Sequence, residues 1–169
     1  MPGNDKKYER IAAALGTRIA ERGHELVFGA NSLGLMGTLA DAVLAGGGKV
    51  TGVVPGNVPS ILKGVHPGIT SVIKTNDMSD RKRTMLEMAD AYVALPGGIG
   101  TLDEVTEVIC LSQIGIHKKP CILVNLDGFY EPLKEMLAVM GREGFAHPEG
   151  YGKLLFSQDL DEIFKFMEE

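Results

Sequence analysis

The sequence lacks the marks of several large protein classes. It has two cysteines in 169 residues, Cys110 and Cys121, too few for a disulfide framework. Basic residues do not prevail. Lys and Arg number 17 against 22 Asp and Glu, a net charge of −5, whereas a broad nucleic-acid surface needs a basic stripe. No apolar run reaches the ~18 residues of a membrane helix. The opening Met1-Pro2-Gly3-Asn4-Asp5-Lys6-Lys7 lacks the apolar stretch of a signal peptide. These absences predict a cytoplasmic protein with reduced thiols, and neither nucleic acid nor membrane as partner. His24, His66, His117 and His147 show no metal-ligand spacing, so no metal site is expected. No Gly-x-Ser-x-Gly elbow occurs. Without repeat or linker, residues 1–169 read as a single domain.

Glycine is what the chain has in excess, 22 residues, about 13% against a usual ~7%. Its glycines cluster in turns without a three-residue period, which excludes collagen-like chains. Between these turns the apolar pattern alternates. Helices are expected over 5–22, 35–45, from Asn76 or Asp77 to 89, over 102–114, 131–143 and from 160. Short apolar strands are expected over 24–29, 49–54, 69–74, 91–95, 121–125 and 154–156. Residues 55–68 form the longest irregular stretch. Such alternation predicts an α/β fold, a doubly wound parallel sheet with helices on both faces. Ligands of such sheets sit at the carboxyl ends of the strands. Here the chain opens on a helix where that fold opens on a strand, so either the sheet has one strand fewer or the chain starts late.

Three segments carry candidate chemistry. Pro96-Gly97-Gly98-Ile99-Gly100-Thr101-Leu102-Asp103-Glu104 follows a strand and opens a helix. Backbone N–H groups at a helix start bind phosphate, and glycine lets it approach. Thr101-x-x-Glu104 is equally a capping box, with Thr101 as cap. The two roles are compatible. Gly29-Ala30-Asn31-Ser32-Leu33-Gly34-Leu35-Met36-Gly37 has P-loop glycine spacing, but Leu35-Met36 stands where Lys-Ser/Thr belongs. Asp103 likewise breaks the dinucleotide fingerprint after Gly98-x-Gly100. Kinases, GTPases and ordinary dehydrogenases are thereby disfavoured, and a plain tight turn stays open for 29–37. Arg81, Lys82 and Arg83 sit in the first turns of a helix, where cations oppose the dipole. A guanidinium there can hold a phosphate or carboxylate bidentately; a solvated charged face is the other reading. Cys110 is expected in the core.

These residues together resemble the LOG ("Lonely Guy") family of cytokinin riboside 5′-monophosphate phosphoribohydrolases, often labelled lysine decarboxylase-like. The Pro96–Glu104 segment matches its PGGxGTxxE motif. Gly34-Leu35-Met36-Gly37 matches its glycine-leucine-methionine turn, and Arg81-Lys82 with Met85 its RKxxM segment. Segments 113–120 and 125–130 are also similar, and the likeness spans about residues 2–160. It implies a Rossmann-like sheet, a homodimer, no cofactor, and cleavage of a nucleoside 5′-monophosphate to free base and ribose 5-phosphate. The base is an N6-modified adenine in plants and some microbes. The site residues implied are Glu104 and Arg81 as catalytic groups. Gly97, Gly98, Gly100, Thr101, Lys82, Met78 and Gly34 are implied as substrate-binding. Departures exist: Ala30-Asn31 replace two family glycines, and Ser79 replaces a histidine. The family's first strand and its Gly-Ser-Ser turn have no counterpart, as expected if Met1 is an internal methionine of a longer frame.

Overall fold

The computed structural model describes residues 2–146 and 151–169. Met1 and His147 of the readings above lie outside the described residues. The chain divides into two compact units, Met1–Ala89 and Asp90–Glu169.

The first unit opens on α1 (Lys6–Glu21), capped by the Asp5 carboxylate, which accepts from the Lys7 N–H at 2.9 Å. Strands β1 (Leu26–Phe28), β2 (Val50–Pro55) and β3 (Ser71–Thr75) pair in that order, all parallel. Helix α2 (Gly34–Ala45) connects β1 to β2, the five-residue α3 (Pro59–Lys63) lies within the 55–68 stretch between β2 and β3, and α4 (Met78–Met88) follows β3. Ala12, Leu15, Ile19, Ala40, Val43, Val50, Val53 and Val54 are buried and form the core. Helices α1 and α2 cross closely at Gly16, where a Cβ would press on the Leu39 carbonyl oxygen. The 55–68 segment is tied to the β1–α2 turn by His66 N–H to the Ala30 carbonyl (2.8 Å) and Ser32 N–H to the Gly64 carbonyl (2.9 Å). His66 itself is buried. Its Nδ1 accepts from the Gly68 N–H at 3.1 Å, which leaves the proton on Nε2 to face Asp41 Oδ1 at 2.9 Å.

The second unit repeats the pattern. Strands β4 (Tyr92–Ala94), β5 (Cys121–Val124) and β6 (Leu154–Ser157) form a parallel sheet in that order. Helices α5 (Ile99–Gln113), α6 (Glu131–Arg142) and α7 (Leu160–Glu168) accompany it, with a 3₁₀ turn at Leu126–Gly128. β5 is wholly buried and packs with Val105, Val108, Ile109, Ile163 and Phe164 in the core. Here the Cys121 thiol is pushed up to about 12 by burial. Cys110 corrects the sequence reading. It is exposed, because the buried stripe of α5 runs through 105, 108 and 109, and residue 110 lies about 100° further around the helix.

The α/β expectation therefore holds, with six parallel-paired strands in two sheets. Among the described residues no strand precedes α1, as the sequence reading has it. Among the described residues β1 pairs with β2 alone, and β4 with β5 alone.

Candidate functional site

In the second unit, β4 leads into the glycine turn. Gly98 is the N-cap of α5 and, being glycine, makes no side-chain cap hydrogen bond. This corrects the capping-box reading, since Thr101 stands at the third helical position. Its side chain instead folds back over Gly97, where a Cβ would collide with Oγ1 and Cβ of Thr101. Gly97 thus gives Thr101 its room. Gly98 and Gly100 differ: a Cβ on either would meet nothing within 4 Å among the described residues. Their lack of a side chain makes room for nothing among the described residues, and both are exposed. Glu104 follows Gly100 by four residues and Thr101 by three, so it shares their helix face. It is half-buried.

A groove of about 560 Å³ adjoins this turn, lined by Gly97, Gly98, Ile99, Leu102, Phe129 and Tyr130 among others. Ile99 is 82% exposed. Tyr130 escaped the sequence reading as a single residue. Its buried hydroxyl donates to the Leu95 carbonyl at 2.6 Å, and its N–H donates to Asn125 Oδ1 at 2.7 Å. The end of β4 is therefore pinned just before the glycines. Burial, with the Cys121 thiol adding to it, pushes the Tyr130 phenol up to about 12.

In the first unit, Asp77 caps α4 by accepting from the Asp80 N–H at 2.8 Å. Asp80 pairs with Arg83 at 2.5 Å and accepts from the Asn76 backbone N–H and Nδ2, each at 3.0 Å. The Asn76 backbone N–H foremost, then Arg83, holds its carboxyl below the usual value. Two acids thus offset the three cations at this helix start. Arg81 is buried, 6% exposed. Its Nε donates to the Val53 carbonyl at 3.1 Å, and its guanidinium reaches Gly29 at the end of β1. It is thus a seated side chain at the carboxyl ends of β1 and β2, not part of a solvated face. Lys82 is half-buried, and Met78 begins α4 exposed. Gly34 begins α2 at φ 66, in the left-handed region where a side chain is strained. Ala30 occupies that region at φ 67, a strain of ~1–2 kcal/mol that a glycine there would not bear.

A profile of the family described as possible lysine decarboxylase matches residues 36–167. The chain is 40% identical over 161 residues to the cytokinin riboside 5′-monophosphate phosphoribohydrolase of Rhodococcoides fascians, covering 95% of this chain and 81% of that relative. This chain belongs to the LOG family. A second relative, cytokinin riboside 5′-monophosphate phosphoribohydrolase LOG of Oryza sativa subsp. japonica, is 40% identical over 168 residues, 99% of this chain and 69% of its own. Solved structures extend the likeness of fold. The molybdenum cofactor carrier protein of Chlamydomonas reinhardtii superposes with a TM-score of 0.73 at 21% identity, over 98% of this LOG-family chain and 91% of its own. The molybdenum cofactor binding protein of Rippkaea orientalis gives 0.72 at 19%, over 97% and 88%.

Proposed function

We propose that this chain hydrolyses the N-glycosidic bond of N6-modified adenosine 5′-monophosphates, releasing the free base, a cytokinin, and ribose 5-phosphate. The observation that carries the reading lies on α5. Its N-cap Gly98 brings no side chain, nothing among the described residues stands where a Cβ of Gly98 or Gly100 would, and Glu104 stands one turn further on the same face. Relatives at 40% identity that bear the name of this activity support it.

A helix start attracts anions through its N–H groups and dipole. Gly97, Gly98, Gly100 and Thr101 accordingly take the 5′-phosphate. Breaking the glycosidic bond builds positive charge on the ribose. A carboxylate near C1′ stabilises that charge and activates a water, as in glycoside hydrolysis. Glu104 takes this role. The phosphate supplies binding energy remote from the bond that breaks. From the first unit, Arg81 serves anion binding or transition-state positioning, with Lys82, Met78 and Gly34 as substrate-binding residues. Residues 1–169 act as one nucleotide-binding domain, without a cofactor, in a cytoplasmic homodimer. Among the described residues no helix is long and apolar enough to cross a membrane.

The test is chromatography of products after incubation with AMP and with N6-isopentenyl-AMP. Release of base and ribose 5-phosphate from the modified nucleotide supports the reading. Equal turnover of AMP would broaden it to a general nucleoside 5′-monophosphate nucleosidase. Binding of nucleotide without release of base from any monophosphate would replace it with a non-catalytic binding protein. Sedimentation equilibrium tests the homodimer.

A further inference from the structure

We propose that Gly29 is a positioning residue for Arg81: its missing Cβ is the seat of the Arg81 guanidinium at the end of β1. The inference rests on the role given to Arg81 above and goes beyond it, because Gly29 carries no side chain that could touch a substrate.

Gly29 directly follows β1, and its backbone does not lie in the left-handed region. Glycine is therefore not required there by φ. It is required by space. A Cβ at Gly29 would fall on Nη2 of Arg81 and lie 3.0 Å from its Cζ. The other close atom, Cε of Met36 at 3.1 Å, ends a flexible side chain that can give way. Arg81 cannot give way without loss, since its Nε is bonded to the Val53 carbonyl and the side chain is almost wholly buried. An added methyl group thus evicts the guanidinium and leaves the backbone of the turn in place. Gly29 follows β1, Val53 lies on β2 and Arg81 on α4, so the glycine fixes the angle at which the cation stands across the two strand ends.

The experiment compares Gly29→Ala, Arg81→Lys, Arg81→Ala and the double variant Gly29→Ala/Arg81→Ala. The wild-type chain should show a protected Arg81 Nε–H resonance in ¹⁵N NMR, assigned by its absence in Arg81→Lys. Gly29→Ala should abolish that protection. With N6-isopentenyl-AMP, Gly29→Ala should lower kcat/KM at least tenfold, toward the level of Arg81→Lys. In the double variant the methyl should be silent, so that activity and melting temperature match those of Arg81→Ala alone. A Gly29→Ala protein that keeps the protected resonance and full activity overturns the proposal. So does a methyl that lowers the melting temperature equally with and without the Arg81 side chain, which would mark a backbone effect. If the wild-type chain releases no base, the proposed activity fails, while the resonance and the melting comparison still decide the Gly29–Arg81 relation.

Discussion

Gly100→Ala separates a glycine kept for a ligand from one kept for the fold. Gly100 is the second residue of α5, and an added Cβ meets nothing within 4 Å. The substitution therefore creates no clash. It removes the excess chain entropy of glycine, which favours alanine in a helix by roughly 0.5–1 kcal/mol, with a first-turn position at the low end. For a chain of this size that is a rise in melting temperature of about 1–4 °C. Function should move the other way. A methyl group at the helix start keeps a phosphate oxygen from closing on the N–H groups there. The loss of one charge-assisted hydrogen bond is worth ~1.5–3 kcal/mol, about a tenfold to hundredfold weakening. Scanning fluorimetry and nucleotide titration of the same preparation read the two effects. A variant that is more stable yet binds N6-isopentenyl-AMP at least tenfold more weakly supports the anion cradle. A variant with unchanged nucleotide affinity refutes it. One that melts lower refutes the open space on which the argument depends.

The other predictions concern single groups. Glu104→Gln should abolish base release while nucleotide binding remains measurable by calorimetry; full activity would remove the carboxylate mechanism. Tyr130→Phe removes the 2.6 Å bond to the Leu95 carbonyl, a loss of about 1 kcal/mol, and should lower the melting temperature by a few degrees while raising KM; an unchanged melting curve would show that the bond does not hold the strand end. Exposed Cys110 should react with a thiol reagent in the native state at pH 8, and buried Cys121 only on unfolding; mass spectrometry of the labelled chain distinguishes the two. The Cys121 thiol is raised from 9.0 to about 12 in the fold, so the unfolded chain loses its proton first. The neutral thiol's contribution is complete below pH 9 and is lost as pH rises from 9 toward 12, by up to ~1.4 kcal/mol per pH unit. Urea midpoints at pH 8 and 10.5 should show this fall, and Cys121→Ala should lessen it, the remainder belonging to the Tyr92 and Tyr130 phenols, which the fold also raises from 10.0 to about 12.

Much of the fold is legible in the sequence, because strand cores such as Cys121–Val124 and helix faces such as Leu15 with Ile19 are set by apolar period alone. What escapes is whatever depends on a residue's partner. The start of α5 is placed at 102 by propensity, since Gly98-Ile99-Gly100 reads as a loop, yet the helix begins at Ile99 with Gly98 as its cap. That shift takes Thr101 out of the cap and turns its side chain toward Gly97. The short α3 within 55–68 is missed for a related reason. Five residues make too brief a period to read, and the segment is held by His66 N–H and Gly64 O bonds to a turn more than thirty residues earlier. The sequence leaves Arg81 open between an anion-binding group and part of a solvated face, and the fold decides against the solvated face by burying it against Val53.

The glycines show why the candidate site is only half-legible. A one-letter pattern marks Gly29, Gly97, Gly98 and Gly100 alike, but the structure sorts them by what a Cβ would meet. At Gly29 it would meet Arg81 and at Gly97 it would meet Thr101, so internal packing already accounts for both. At Gly98 and Gly100 it would meet nothing. Their backbone angles do not demand glycine either, for neither lies in the left-handed region. At Gly100 alanine is the better helix former, and at Gly98 a Ser, Thr or Asp would be the better cap. On stability grounds alone these two positions are poorly filled. Residues that cost stability without serving the fold are expected where function sets the choice. Gly98 and Gly100 are therefore the two positions where an anion at the start of α5, rather than any contact among the described residues, would account for the choice of residue.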